Sequence, residues 1–372
     1  NLFEPDYNIR RILLAIGSIT GVSILPGKTL IILDEIQELK RGLNALKYFC
    51  ENAPEYHVAV AGSLLGITLH QGESFPVGKV NTLKIFPMSY EEFLLAKGQR
   101  QMYDMLVQKQ WDVMASTRSK YIQSLREYYF TGGMPEAVKK HLDTNDTVQV
   151  REVQQEILLA YDKDISKHAP TNEAVRINQV WKSIPSQLAK ENRKFVYGVL
   201  RKGARAKEFE TAIQWLLDAG LVYKVERVGK PGMPLNCYAD FSAFKLYMLD
   251  CGLLGAMNNM PPALMLLPNK MKESKGNFTE NFVCSQLHNC ASLSIFYYSK
   301  ENSTQEVDFV VQHDTEIAAI EVKAEENLQS KSLKAFHADY PNLKCIRTSM
   351  ADYRQEEWMD NVPLYAIGNY WD

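Results

Sequence analysis

Three groups of residues in this 372-residue sequence have types and spacing that could do chemistry. The first is Leu30-Ile31-Ile32-Leu33-Asp34-Glu35, four apolar residues running directly into two acids. A buried strand of this kind delivers Asp34 rigidly to the carboxyl edge of a sheet, where open α/β sheets bind nucleotides. There Asp34 could hold the water shell of a Mg²⁺ ion and Glu35 could polarise an attacking water, the Walker B arrangement. The plainer alternative is a buried strand that ends in solvated acids. The stretch His57-Val58-Ala59-Val60-Ala61, one helix later and closed by Gly62-Ser63, favours the chemical reading. It would set Ser63 beside Asp34, where a γ-phosphate could be sensed.

The second group is Glu280, Asp308 and Glu321-Val322-Lys323. On a strand, positions i and i+2 share a face, so Glu321 and Lys323 point together. Asp308, on the preceding strand, can reach that face, and Glu280 on the helix before it could be a third acid. Two carboxylates bind Mg²⁺ or Mn²⁺ through oxygen, and Lys323 could orient or activate the attacking water. This is the metal-nuclease order Asp…Glu-x-Lys. A solvated face with cross-strand acid–lysine pairs is the alternative. Against it, Asp308 interrupts the apolar run Val307–Val311, and a charge there needs a partner or a metal.

The third group is basic. From Lys190 to Lys230 there are ten Lys and Arg against five Asp and Glu, while the whole chain has a formal net charge of −2. Arg201, Lys202, Arg205 and Lys207 are its densest part, and the pattern suits contact with duplex DNA phosphates. A solvated helix face or a protein contact would look the same.

A phosphate-binding ATPase core also needs a GxxxxGK[ST] loop opening a helix. The nearest match, Gly21 to Gly27-Lys28-Thr29, has five residues between the glycines and runs into a strand. It reads as a turn. Since the chain opens at Asn1 with what reads as the middle of a fold, the expected place for the phosphate loop is upstream of Asn1.

The elements that must position these groups follow from periodicity and punctuation. A short amphipathic helix runs from about Ile9. Thr29–Leu33 and His57–Ala61 read as buried strands around a helix from about Ile36 to Asn52, a βαβ unit whose sheet should be parallel and covered on both faces. Residues 89–167 are mostly helical, with a sharp break at Thr131–Pro135. Helices within 172–219, then strands at Leu221–Val228 and Leu235–Tyr238, read as a winged helix. Asn277–His288 is a helix, followed by strands at 294–298, 306–312 and 316–323, a helix at 330–340 and a strand at 343–348. The expected domains are 1–88, 89–170, 171–260 and 261–372.

Composition fits these assignments. With 46% hydrophobic and 23% charged residues the chain is globular and not disordered. Its charge excludes a globally basic nucleic-acid binder. No apolar run has the roughly 18 residues of a membrane helix, and no signal peptide is visible. Six scattered cysteines without a CxxC pair suit a reducing cytoplasm and argue against a disulfide framework or a zinc site.

Together the stretches LIILDEIQE (30–38), AGSLLGI (61–67), SFPVGKV (74–80), FPMSYEEFL (86–94), GGMPEAV (132–138), FKLYMLDCGLL (244–254), TENFVCSQL (279–287) and EVDFVV…IEVKA (306–324) resemble a bacterial and archaeal family of AAA-type ATPases with a C-terminal DUF4143 region. The resemblance covers nearly the whole chain. It implies an α/β fold: a P-loop parallel-sheet core, here without its N-terminal P-loop segment, a helical lid, a winged helix, and a terminal α/β restriction-endonuclease-like domain of the PD-(D/E)xK type. Carried over by position, Asp34 and Glu35 are the Walker B pair, with Asp34 toward Mg²⁺ and Glu35 catalytic. Ser63 lies at the sensor strand. Glu280, Asp308 and Glu321 fill the metal positions and Lys323 the catalytic lysine. ATP and Mg²⁺ are the implied cofactors, with Mg²⁺ or Mn²⁺ at the nuclease-like site. Partners left open are duplex DNA, a protein, or further copies of the chain. The expected role is an ATP-driven switch acting on DNA or a partner. A metal nuclease regulated by the ATPase core and a non-catalytic interaction protein are the alternatives.

Overall fold

The computed structural model describes residues 2–62, 67, 76, 78–190, 193–267, 275–301, 303–324 and 329–371. It divides into two compact units, residues 1–85 with 214–221, and residues 86–213 with 222–372.

In the first unit helix α1 (Ile9–Thr20) starts at Asn8, whose side chain accepts from the Arg11 amide, and ends at Gly21 in the left-handed region. Strands β1 (Leu30–Leu33) and β2 (His57–Val60) pair in parallel, Leu30 opposite His57 through Leu33 opposite Val60. Parallel neighbours need a crossover, and helix α2 (Gly42–Asn52) supplies it. Phe3, Ile12, Ile31, Ile36, Leu43, Leu46 and Phe49 form the core.

Two expectations need correction here. The helix expected from Ile36 is a 3₁₀ turn over Ile36–Glu38 that breaks before α2, with Arg41 at φ +65°. Gly42 packs against the turn so closely that a Cβ there would lie 2.8 Å from Ile36 Cδ1. Nor is the strand pair covered on both faces by the described residues. Ile31 is 5% exposed, but its neighbours Leu30 and Ile32 are 57% and 67% exposed.

The second unit begins with helices α3 (Tyr90–Ala96), α4 (Arg100–Val107), α5 (Trp111–Ser116), α6 (Arg118–Thr131), α7 (Pro135–Thr144), α8 (Thr147–His168) and α9 (Ala174–Leu188). Helix α3 opens with a capping box between Ser89 and Glu92. Short 3₁₀ turns over Tyr197–Val199 and Ala206–Glu208 precede α10 (Glu210–Asp218) in sequence. Then come β3 (Val222–Val228), β4 (Ala239–Met248), α11 (Cys251–Met257), α12 (Pro262–Leu266), α13 (Lys275–Asn289), β5 (Leu293–Ser299), β6 (Glu306–His313), β7 (Glu316–Val322), α14 (Lys331–Asp339), β8 (Lys344–Ser349), β9 (Arg354–Gln355) and β10 (Asp360–Pro363).

Among the described residues, β3–β10 form one sheet in the order β4-β3-β5-β6-β7-β8-β10-β9. The hairpin read from sequence as a wing is part of it: β3 pairs antiparallel with β4 and parallel with β5. The expected boundary at 260/261 therefore falls between strands of a continuous sheet. Leu235–Tyr238, expected as the returning strand, is a 3₁₀ turn ahead of β4. On one face α14 packs Leu333 and Phe336 against Tyr298, Val307, Val310 and Ala319. Helix α13 also packs on the sheet, and two of its neighbouring residues grip the edge strand. Asn281 closes Met248 on both sides, accepting from its amide at 2.8 Å and donating to its carbonyl at 3.1 Å, while Glu280 binds side chains of β4.

Three stretches far apart in sequence meet at Asp250, the N-cap of α11. Its carboxylate accepts from the amides of Gly133 at 2.6 Å and Leu253 at 2.8 Å, and the Met88 amide donates to the Gly133 carbonyl at 2.7 Å. Only glycine fits at 132. The residue sits at φ +74°, and a Cβ would come within 2.2 Å of Asp250 Oδ1. Burial pushes the Asp250 carboxyl up to about 6, against the pull of the donating amides.

Asp250→Ala should lower stability by about 1–3 kcal/mol, the penalty of leaving buried amides without an acceptor. Because the folded carboxyl binds its proton more tightly than the unfolded one, the native state holds more protons between about pH 4 and pH 6. Stability should therefore fall as pH rises through that window. Thermal melts across the window should show this component in the parent and not in Asp250→Ala.

Candidate functional site

The acid pair of the first unit sits where strand order requires. Asp34 follows β1 directly, and the carboxyl ends of β1 and β2 are tied by Ala61 N–H to Leu33 O at 2.9 Å and Ile36 N–H to Ala61 O at 3.0 Å. Asp34 and Glu35 are both exposed at this edge. Asp34 Oδ1 accepts from the Glu35 amide at 3.0 Å. Glu35 itself holds φ +49°, the left-handed region that residues with a Cβ occupy at a cost. Ser63, the expected sensor residue, lies outside the described residues.

Gly27-Lys28-Thr29 lies at the amino end of β1, the opposite edge. Gly27 takes φ +69° and donates to Glu55 O at 2.8 Å, while Thr29 Oγ1 accepts from the Leu25 amide at 2.9 Å. No helix starts there, so its amides do not form a phosphate cradle.

In the second unit Glu280 lies on α13, Asp308 on β6, Glu321 on β7 and Lys323 just beyond β7. Glu280, 1% exposed, pairs with Arg193 and accepts from Tyr247 Oη and from Lys245 Nζ, the last at 3.2 Å. Lys245 also reaches Glu306 at 2.8 Å. Arg193 lies 3.9 Å from Asp308 Oδ1, and Asp308 Oδ2 accepts from the Val322 amide at 2.8 Å. Burial and the neighbouring Glu280 carboxylate push the Asp308 carboxyl up to about 7. Burial would also raise Glu280, but Lys245 and Arg193 outweigh it and hold that carboxyl below its usual range.

Glu321 and Lys323 pair with each other at 2.9 Å. Glu321 Oε2 is buried without a hydrogen-bond partner. The expected set of Glu280, Asp308 and Glu321 carries counter-ions from the chain itself. Two of the acids meet around cationic side chains, and the third is bound to its own lysine. Among the described residues no group of three or more His, Cys, Asp or Glu is placed to hold a metal. Sequence reasoning missed Arg193, Lys245, Tyr247 and Glu306. Lys245 carried a usable signal, a lysine inside the apolar run Phe244–Leu249. Arg193 carried none.

Arg201, Lys202, Arg205 and Lys207 are all exposed, between the 3₁₀ turn at 197–199 and α10. Glu208 pairs with Arg201 at 2.5 Å and accepts from the Arg205 amide at 2.9 Å. No described helix is long and apolar enough to cross a membrane.

Family models match three stretches: an AAA domain at residues 3–94, a domain of unknown function, DUF8612, at 122–264, and another, DUF4143, at 275–367. Among solved structures, the Walker-type ATPase of Pyrococcus abyssi aligns with 68% of this chain and 67% of its own, at 14% identity and a TM-score of 0.41. No curated protein matches the chain. The exposed acid pair falls within the AAA match, and Glu280, Asp308, Glu321 and Lys323 within the DUF4143 match.

If the left-handed backbone at Glu35 is strained, a residue that tolerates it should relieve the chain. Glu35→Asn should melt at or above the parent temperature. Glu35→Val should lose about 1–2 kcal/mol. Equal melting temperatures for the two variants would remove the strain argument.

Proposed function

We propose that this chain, an AAA-type protein with a C-terminal DUF4143 domain, is a cytoplasmic ATP-driven switch that acts on duplex DNA. The observation that carries the reading is the exposed Asp34-Glu35 pair at the carboxyl edge of a parallel strand pair, with Glu35 held at φ +49°. A rigid strand end gives Asp34 a fixed position from which to hold the Mg²⁺ of Mg-ATP through water, and Glu35 the position of the base that polarises the attacking water. A strained backbone is kept where function requires it, and its position beside the acid pair supports that assignment. Arg201, Lys202, Arg205 and Lys207 offer exposed positive charge on a short stretch, which suits phosphate contact.

Two measurements test this. Glu35→Gln should retain Mg-ATP and lose roughly two or more decades of turnover, the usual contribution of a general base. Turnover at the parent rate overturns the assignment. Duplex DNA binding should weaken with salt, and Lys202→Ala with Lys207→Ala should reduce the slope of log K against log salt by about 0.9 for each contact. An unchanged slope, or no association at low salt, would make the basic stretch a protein-binding surface.

A further inference from the structure

The geometry points to the acidic pocket around Glu280 being an ionic lock, in which the side chains of Arg193 and Lys245 take the place that a divalent cation would hold. The inference is independent of the ATP reading, since all its residues lie in the second unit.

Carboxylates gathered in a buried site need positive charge, and a divalent metal such as Mg²⁺ would supply it through oxygens at about 2.1 Å in near-octahedral geometry. Here both oxygens of Glu280 are already engaged. Oε1 takes Lys245 Nζ and Tyr247 Oη, and Oε2 takes Arg193 Nη1. Lys245 is fully buried and lies between Glu280 and Glu306. Arg193 lies between Glu280 and Asp308. A metal brought to Glu280 would have to displace one of these donors, and the displaced cation would lose its shortest or most buried ion pair.

The surroundings are shaped for the guanidinium. Arg193 Nε donates to Asn277 Oδ1 at 3.3 Å, and a Cβ on residue 276 would lie 2.8 Å from Arg193 Nη2. Gly276 in the first turn of α13 therefore leaves the space that the guanidinium fills. The main chain carries Arg193 to the same place, because the Phe195 amide donates to the Phe244 carbonyl at 2.9 Å beside β4. Arg193, Lys245 and Tyr247 thus bind a segment outside the sheet and its edge strand to α13 and β6. The charge of Glu280 then needs no divalent metal.

The test uses the full chain in an Asp34→Asn background, so that metal at the first unit is not counted. Titration with Mn²⁺ read by electron paramagnetic resonance should show no stoichiometric site, and Mg²⁺, Mn²⁺ or chelator should leave the melting temperature unchanged. A stoichiometric Mn²⁺ that disappears in Glu280→Gln or Asp308→Asn, with a metal-dependent rise in melting temperature, overturns the proposal. The lock itself is read from coupling. Lys245→Met should lower the melting temperature by about 10 °C, as expected when one member of a buried ion pair is removed. Adding Glu280→Gln should recover part of that loss. If Lys245→Met does not fold, Arg193→Met, nearer the surface, is combined with Glu280→Gln in the same way. Losses that simply add in the double variants overturn the coupling.

Discussion

A carboxylate as buried as Glu280 stays ionised only beside positive charge, and the second unit is arranged around supplying it. Lys245 and Tyr247 come from β4, Arg193 from the segment after α9, Glu306 and Asp308 from β6, and Glu280 from α13. Removing either Arg193 or Lys245 would leave Glu280 with one counter-ion in place of two. The demand therefore ties four pieces of chain to one another. It also bears on why the β3–β4 hairpin lies in the sheet. Its edge strand carries the ammonium that α13 and β6 both use.

Asp250 shows a second solution to the same problem. No Lys or Arg faces it among its described hydrogen-bond partners. Its charge is met by the amides of Gly133 and Leu253, and the carboxyl remains partly protonatable near pH 6. Amides from the break after α6 and from the start of α11 converge on one small acceptor, and this is geometrically possible only because residues 132, 133 and 252 are glycines. A Cβ at 252 would lie 2.5 Å from Thr131 O, and one at 133 would lie 2.1 Å from Met88 O. Dipoles hold this junction where full charges hold the pocket at Glu280, and the two carboxyls are shifted accordingly in opposite directions.

Local pattern carried much of this fold. The parallel β1–β2 pair, α13, β5–β8 and α14 lie close to their expected spans, because each is an apolar run or stripe bounded by turn residues. The misses have physical causes. Helix periodicity continued across Leu39–Arg41, but the tight packing of Gly42 on Ile36 breaks the helix there. Strands β9 and β10 are too short and polar to alternate visibly. The hairpin looked like a free wing because pairing of β3 with β5, some seventy residues on, leaves no local trace. The same limit governed the pocket. Asp308 was legible as a charge in an apolar run, and Lys245 could have been read by the same rule. Arg193 meets Glu280 from a distant, ordinarily polar segment, and only the folded chain brings that counter-charge into view.

The acids of the two units consequently differ in what they can still do. A carboxylate acts on a ligand only with lone pairs that solvent or substrate can reach. Glu280 has both oxygens committed to donors of this chain, and the Glu321 oxygen that lacks a donor is buried. Asp34 and Glu35 are exposed at a strand edge whose backbone is pinned by the Leu33–Ala61 and Ala61–Ile36 hydrogen bonds. Position without burial is what a transient ligand such as Mg-ATP requires, since it must arrive and leave without stranding a charge. Burial with internal counter-ions suits a permanent joint. On that ground the exposed acids of the first unit can still meet a ligand, whereas Glu280 is committed to the cations of its own chain.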